Sequence, residues 1–349
     1  MAFLRRYMHV IMLAILSLAV FVVVSRSLEN HARRADEYIY EKTVLSFTEW
    51  LKQPEPFRRD VLDRCWNIGG EHPAVVKITS GITWMACHGR MGDLKSLRLA
   101  TAINFSLLIM LVYMFARQFM GRAVSLVSGI MLLCIPAVTE FAHFAEININ
   151  LSLFWVLAVL FFLKGLRGRK AWVCLSGVMA GFSLGAKVTS LIIPISIFIW
   201  LLLFSRKRLA ELFIPFLITG SVAFLLSWPS LWPDPVTGLI DHARYHMDAV
   251  AAARGRIWHL AFSSFFSNVP IGMTVLFILG IIKTFADKNS SGFLCLIIIF
   301  LLLGIFSAAG IDSDGIRYFL PAIPFFCAIC ATGLEFIVKP VIKTNVIYV

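Results

Sequence analysis

Apolar runs long enough to cross a bilayer, separated by short loops that carry most of the basic residues, constrain this chain more than any other feature. A spanning helix needs about 20 predominantly apolar residues, because hydrocarbon offers its backbone no other hydrogen-bond partners. Such runs lie near residues 98–116, 123–139, 149–164, 171–186, 188–204, 209–228, 266–284, 292–309 and 316–337, after a first run from Val10 to Val24. They predict about ten transmembrane helices. Hydrophobic residues make up 59% of the chain and charged residues only 15%, with a mean hydropathy of +0.83. A soluble domain averages about 25% charged residues. The expected fold class is an all-α polytopic membrane protein, with residues 1–349 forming one transmembrane domain.

The formal net charge is +12. Because Lys and Arg fall mainly in short loops, topology accounts for that excess and no nucleic-acid partner is expected. Arg5-Arg6 precede the first run, which ends in Arg26. A cleaved signal peptide is one reading; the length of the run and Arg26 favour an uncleaved signal anchor. With residues 73–87 lying along the interface, the loops at Arg117/Arg122, Lys164–Lys170, Arg206–Arg208 and Lys283/Lys288 and the Lys339/Lys343 tail all fall inside. With 73–87 as a span they would all fall outside, so the positive-inside rule selects the first arrangement. Both termini are then cytoplasmic, and residues 26–97 form a long first outer loop containing interfacial helices.

Tyr40, Val44, Phe47 and Leu51 recur at helical spacing and predict an amphipathic helix beginning near Asp36. Asp36 can cap that helix, with Glu37 in its first turn, or do chemistry at the membrane surface. Glu146, Asn148, Lys187, His242, His246, His259, Asp312, Asp314 and Arg317 are expected on the same face. Lys187 interrupts an apolar stretch, where a cation either snorkels to the interface or meets an anion. Arg317 stands at a helix start, a position that also favours anions. Gly177, Gly181 and Gly185 predict close helix packing. His242 and His246 are spaced to share one helix face but lack a convincing third zinc ligand. Cys65 and Cys87 can pair if the first loop faces an oxidising compartment.

Asp36-Glu37-Tyr38-x-Tyr40 after one hydrophobic anchor resembles the Asp-Glu motif of the GT-C membrane glycosyltransferases, which include the protein O-mannosyltransferases and the lipid A aminoarabinose transferases. Glu71-His72-Pro73-Ala74 is similar to their His-Pro-Pro-Leu segment, with Ala74 replacing the second Pro. Arg98-Leu99 through Gly121-Arg122, Gly181 through Thr189, and Arg317-Tyr318-Phe319-Leu320-Pro321 follow in the family's order. The family usually has an Asp where this chain has Asn148, and many members carry a further C-terminal portion.

The resemblance implies transfer of a sugar from a polyprenyl-phosphate donor to a lipid, glycan or protein acceptor, with inversion. Asp36 is the expected base, with Glu37 assisting or positioning it. Lys187 and Arg317 are the expected ligands of the donor phosphate; Lys77 is either a third or an interfacial anchor. Glu146, Asn148, His72 and Tyr38 are candidates for the second loop and acceptor site. This reading names no certain cofactor and leaves room for a divalent cation, with Asp36 and Glu146 as its candidate ligands. Membrane lipids are expected partners. Compactness favours a bacterial inner membrane, with the active face periplasmic or extracellular. A transporter or flippase of lipid-linked sugars and a noncatalytic scaffold for envelope-polymer assembly are the competing readings.

Overall fold

The computed structural model describes residues 2–66, 68, 74–252, 260–309 and 315–345, and every regular element among them is helical. The chain starts with α1 (Ala2–Ser27), followed by three helices of the first loop: α2 (Ala35–Lys52), α3 (Arg59–Trp66) and α4 (Val75–Met91). Next come α5 (Asp93–Ala116), α6 (Arg122–Met131), α7 (Pro136–Phe141), α8 (Ile147–Gly165) and α9 (Lys170–Leu184). Then α10 (Ile192–Phe204) and α11 (Leu209–Leu226) lead to α12 (Pro235–Ala252). The last four are α13 (Leu260–Ser267), α14 (Ile271–Ala286), α15 (Ser290–Ala309) and α16 (Ile323–Asn345).

Among the described residues, six helices are long and apolar enough to cross a membrane, and α13 with α14, bent by 115°, make a seventh candidate. Three shorter apolar helical stretches, Arg122–Cys134, Lys170–Leu184 and Val188–Phe204, occupy the remaining places among the ten expected segments. The chain is an integral multi-pass membrane protein. Ile271, Val275, Ile278 and Ile282 form an exposed stripe along α14, as a lipid-facing helix requires. The core lies between α5, α8 and α16, where Phe105, Trp155, Phe325 and Phe326 are fully buried.

α2 begins at Ala35, so Arg34 is its N-cap, and Asp36 is not the cap residue. Val44 and Phe47 face inward as their spacing requires, whereas Leu51, in the last turn, is exposed. Cys65 and Cys87 are free thiols; Cys65 is buried with Phe47 and Trp66, while Cys87 packs against a different cluster. The expected pairing is therefore corrected.

The two ends of the bundle differ in charge. Arg167 donates to Gln118 O at 3.1 Å and Arg208 to Leu166 O at 3.0 Å, gathering the loops after α5, α8 and α10 at one end. The 19 residues of α8 then rise roughly 28 Å to Glu146 at the other end.

α9 and α11 touch backbone to backbone. A Cβ added at Gly181 would collide with the carbonyl oxygen of Gly220, and one added at Gly177 with that of Phe216. Thr219 Oγ1 uses the same close approach to donate to Cys174 O at 2.9 Å. Substituting Gly181 with Leu should push the pair apart at a cost of about 3 kcal/mol or more. Most of the monodisperse protein should be lost from detergent extracts by size-exclusion chromatography. Gly304→Ala, where no atom lies within 4 Å of the added Cβ, should leave the profile unchanged.

Candidate active site

The adjacent carboxylates that open α2 point in different directions. Glu37 turns inward and is 1% exposed. Arg98 of α5, 0% exposed, grips it through two bonds, Nε to Oε1 at 2.8 Å and Nη2 to Oε2 at 2.7 Å. The amides of Ala145 and Arg34 donate to the same carboxylate at 2.9 and 3.0 Å. Arg98 also donates to the carbonyls of Leu28, His31 and Ala32. One buried ion pair thus ties the exit of α1, the start of α2, α5 and the loop before α8 together.

Burial on its own would raise the Glu37 carboxyl, but the bonds from Arg98, Ala145 and Arg34 outweigh it and hold the group below its usual 4.5. With all four bonds made and almost no exposure, Glu37 is placed to position its neighbours. Sequence reasoning missed Arg98 as its partner. The signal was there: an arginine heading an otherwise apolar segment needs a buried anion or a route to water.

Asp36 turns the other way, toward Arg317, and its side chain is 42% exposed. Arg317 Nη2 donates to Asp36 Oδ2, and Nε donates to Glu146 Oε2 at 2.9 Å. Glu146 is the N-cap of α8; its Oε1 accepts from the Asn148 amide at 3.0 Å and from Asn148 Nδ2 at 2.7 Å. Asn148 Oδ1 then accepts from Lys187 Nζ at 3.2 Å, and that ammonium stands 4.3 Å above the Tyr318 ring. Residues from α2, α8, the turn after α9 and the turn before α16 meet in one chain of contacts: Asp36, Arg317, Glu146, Asn148 and Lys187.

Other expected site residues stand apart from that chain. Lys77 Nζ donates to the carbonyls of Trp66 and Ile68 at 2.7 and 2.8 Å, so it closes the C-terminal end of α3. Burial pushes its ammonium down to about 8. Tyr38 is exposed beneath the Arg33 guanidinium, 3.9 Å from the ring centroid. His242 and His246 contact each other at 3.0 Å between their Nε2 atoms. His72, His259, Asp312 and Asp314 lie outside the described residues. Among the described residues, no three His, Cys, Asp or Glu side chains gather to hold a metal. Asp36 Oδ2 and both oxygens of Glu146 accept from Arg317 and Asn148.

An apolar groove of about 630 Å³ runs between α4, α8, α9 and α11, lined by Val75, Ile78, Phe154, Phe182 and Val222 among others. Val75 of its lining donates its amide to the carbonyl of Gly185 at 2.9 Å, two residues before Lys187.

Replacing Arg98 with Met should leave the Glu37 charge buried and uncompensated, a loss of about 3–5 kcal/mol. Adding Glu37→Gln should recover part of it, read as a coupling energy in thermal unfolding. The pH dependence has a definite sign. The lowered Glu37 value contributes stability that is fully present above about 4.5 and lost as pH falls through the folded value. Glu37→Gln should therefore flatten the acid limb of the unfolding curve below pH 4.5.

Residues 82–232, under half of the chain, match the family model of dolichyl-phosphate-mannose-protein mannosyltransferase. No curated protein matches the chain by sequence. The fold is similar to that of ArnT from Cupriavidus metallidurans bound to undecaprenyl phosphate, with a TM-score of 0.73, 16% identity, and coverage of 94% of this chain and 60% of that one. It is also similar to the oligosaccharyltransferase AglB from Archaeoglobus fulgidus, with a TM-score of 0.63, 14% identity, and coverage of 99% and 52%. The arabinosyltransferase EmbB from Mycobacterium smegmatis aligns with a TM-score of 0.58 and 16% identity over 91% of this chain and 30% of its own. The chain spans three fifths or less of the length of these proteins. Family model and fold agree with the resemblance carried by the motifs: the chain has the architecture of the GT-C membrane glycosyltransferases.

Proposed function

We propose that this protein transfers a sugar from a polyprenyl-phosphate carrier to a lipid, glycan or protein acceptor at the membrane face opposite its basic loops. The observation that carries this reading is the meeting of two cations, Lys187 and Arg317, with an accessible carboxylate, Asp36, near the rim of an apolar groove. A polyprenyl phosphate has the matching shape: an anionic head on a long hydrocarbon chain. The groove suits the chain, and the cations suit the phosphate. The solved relative bound to undecaprenyl phosphate supports the same ligand class.

In the mechanism, the incoming donor phosphate competes with Asp36 for the Arg317 guanidinium and takes a second contact from Lys187. Asp36, the most accessible carboxylate of the cluster, then turns to the acceptor. The acceptor oxygen bonds to the anomeric carbon as the bond from that carbon to the phosphate oxygen breaks. The hydroxyl proton goes to Asp36, and polyprenyl phosphate leaves, held by Lys187 and Arg317. Direct displacement of this kind inverts the anomeric configuration, by chemical analogy with inverting glycosidases. Glu37 fixes the start of α2, and Glu146 with Asn148 orients the two cations. By the positive-inside rule the basic loops are cytoplasmic, which makes this face periplasmic or extracellular in a bacterial inner membrane.

The test is transfer by purified protein in lipid, offered a panel of radiolabelled polyprenyl-phosphate sugars. Asp36→Asn should lower the transfer rate by about 100-fold or more while donor binding persists. Turnover equal to the parent would refute Asp36 as base. Lys187→Ala should weaken donor binding by roughly tenfold to a hundredfold, the worth of one charged hydrogen bond. Labelling of a cysteine placed at residue 36 only from the cytoplasmic side would overturn the assigned face.

A further inference from the structure

A second cavity, of about 300 Å³, opens between α3, the turn Pro229–Leu231 and α12. It is distinct from the cluster around Asp36. α2 carries the chain roughly 20 Å from Asp36 to Trp50 by helix rise. Trp50 meets Trp66 edge to face at 5.2 Å, and Trp66 is part of the cavity wall.

The charge of this cavity runs against that of the whole chain. Asp63, Asp234 and Asp241 line it, with Arg59 as the single cation among its described lining residues, in a protein of net charge +12. Arg59 stands 3.9 Å from Asp63. Arg244, outside the wall, stands 3.6 Å from Asp241, so a single carboxylate is left in excess, which disfavours phosphate and separates this cavity from the cationic site. Carboxylates only accept hydrogen bonds, so the matching ligand is rich in donors. The rest of the wall mixes Ser230, Leu231, Pro233 and Gly238 with aromatic rings: Trp228 is buried in it, and the exposed Tyr245 ring offers a surface that suits apolar C–H groups. His242 stands edge-on to Trp228 at 4.8 Å. Burial, and His246 beside it, push the His242 imidazole down to about 4, so it lines the cavity as a neutral group.

Many hydroxyl donors around a ring with apolar C–H faces describe a sugar. We propose that this cavity binds a neutral sugar ring of an extended glycan acceptor, at a position remote from the point of transfer. This rests on the reading of the protein as a transferase with a glycan acceptor, and specifies where that acceptor is held. The distance from Asp36 rules out the reacting sugar as its occupant, so the cavity selects for acceptor length and identity.

The test uses the full chain in lipid nanodiscs, with intrinsic tryptophan fluorescence and saturation-transfer NMR. The probes are methyl glycosides and neutral tetrasaccharides. At least one neutral sugar should bind saturably in the millimolar range. Asp63→Asn combined with Asp241→Asn should weaken that binding tenfold or more, and Tyr245→Ala should weaken it separately. Both sites are exposed, so these variants should fold as the parent does. Asp36→Asn should leave sugar binding unchanged. Saturable binding lost in the cavity variants but kept in Asp36→Asn supports the subsite even where transfer is absent, which would sink only the transferase reading. No response to any neutral sugar, an undiminished response in the cavity variants, or binding there of unglycosylated peptides instead would overturn the proposal.

Discussion

A carboxylate and a guanidinium, Glu37 and Arg98, meet where neither has access to water. Bringing two charges into a medium of low dielectric is costly, and the cost is offset only if every lone pair and proton finds a partner. That condition is nearly met: two bonds join the pair, two backbone amides complete the carboxylate, and three carbonyls take the remaining guanidinium protons. Those backbone groups belong to the exit of α1, the start of α2 and the loop before α8. Satisfying one ion pair therefore fixes the relative positions of three otherwise independent segments. Neighbouring residues on a helix are turned by about 100° from each other. With Glu37 facing inward, Asp36 is turned away from it, and there it meets Arg317.

The cluster that results is balanced, with Asp36 and Glu146 against Lys187 and Arg317. Balance matters because an unpaired charge at this depth would shift the helices that carry it. Asn148 joins the two halves: its amide nitrogen donates to Glu146 and its oxygen accepts from Lys187. An aspartate has no proton to donate when ionised, and would repel Glu146. Where the family usually has an Asp, this chain thus has an Asn bonded to the carboxylate two residues earlier.

Much of this was legible in the chain itself. Apolar length marked the membrane helices, because hydrocarbon admits no unsatisfied backbone and so leaves a long signature. Basic loops sorted the two faces, and the small-residue spacing at Gly177, Gly181 and Gly185 marked the tightest helix contact. Asp36, Glu146, Asn148, Lys187 and Arg317 were nominated from their places together with the family resemblance of the motifs around them. Lys77 was nominated on the same grounds, and its ammonium instead closes the end of α3. Position near a helix end told that a cation needed oxygen atoms, but not whose.

The sequence by itself therefore determined the class of fold, the side of the bundle on which chemistry-bearing residues collect, and the list of candidates. The first two are set by solvation, which acts on each segment separately and is written in local composition. Only the tertiary structure decided which carboxylate meets which cation, and so which of Asp36 and Glu37 stays accessible and which is buried as a tie. It alone also brought α3 against α12 to make an acidic, aromatic cavity in a basic protein. Pairings across 61, 171 and 281 residues depend on how helices pack, and no local pattern encodes them.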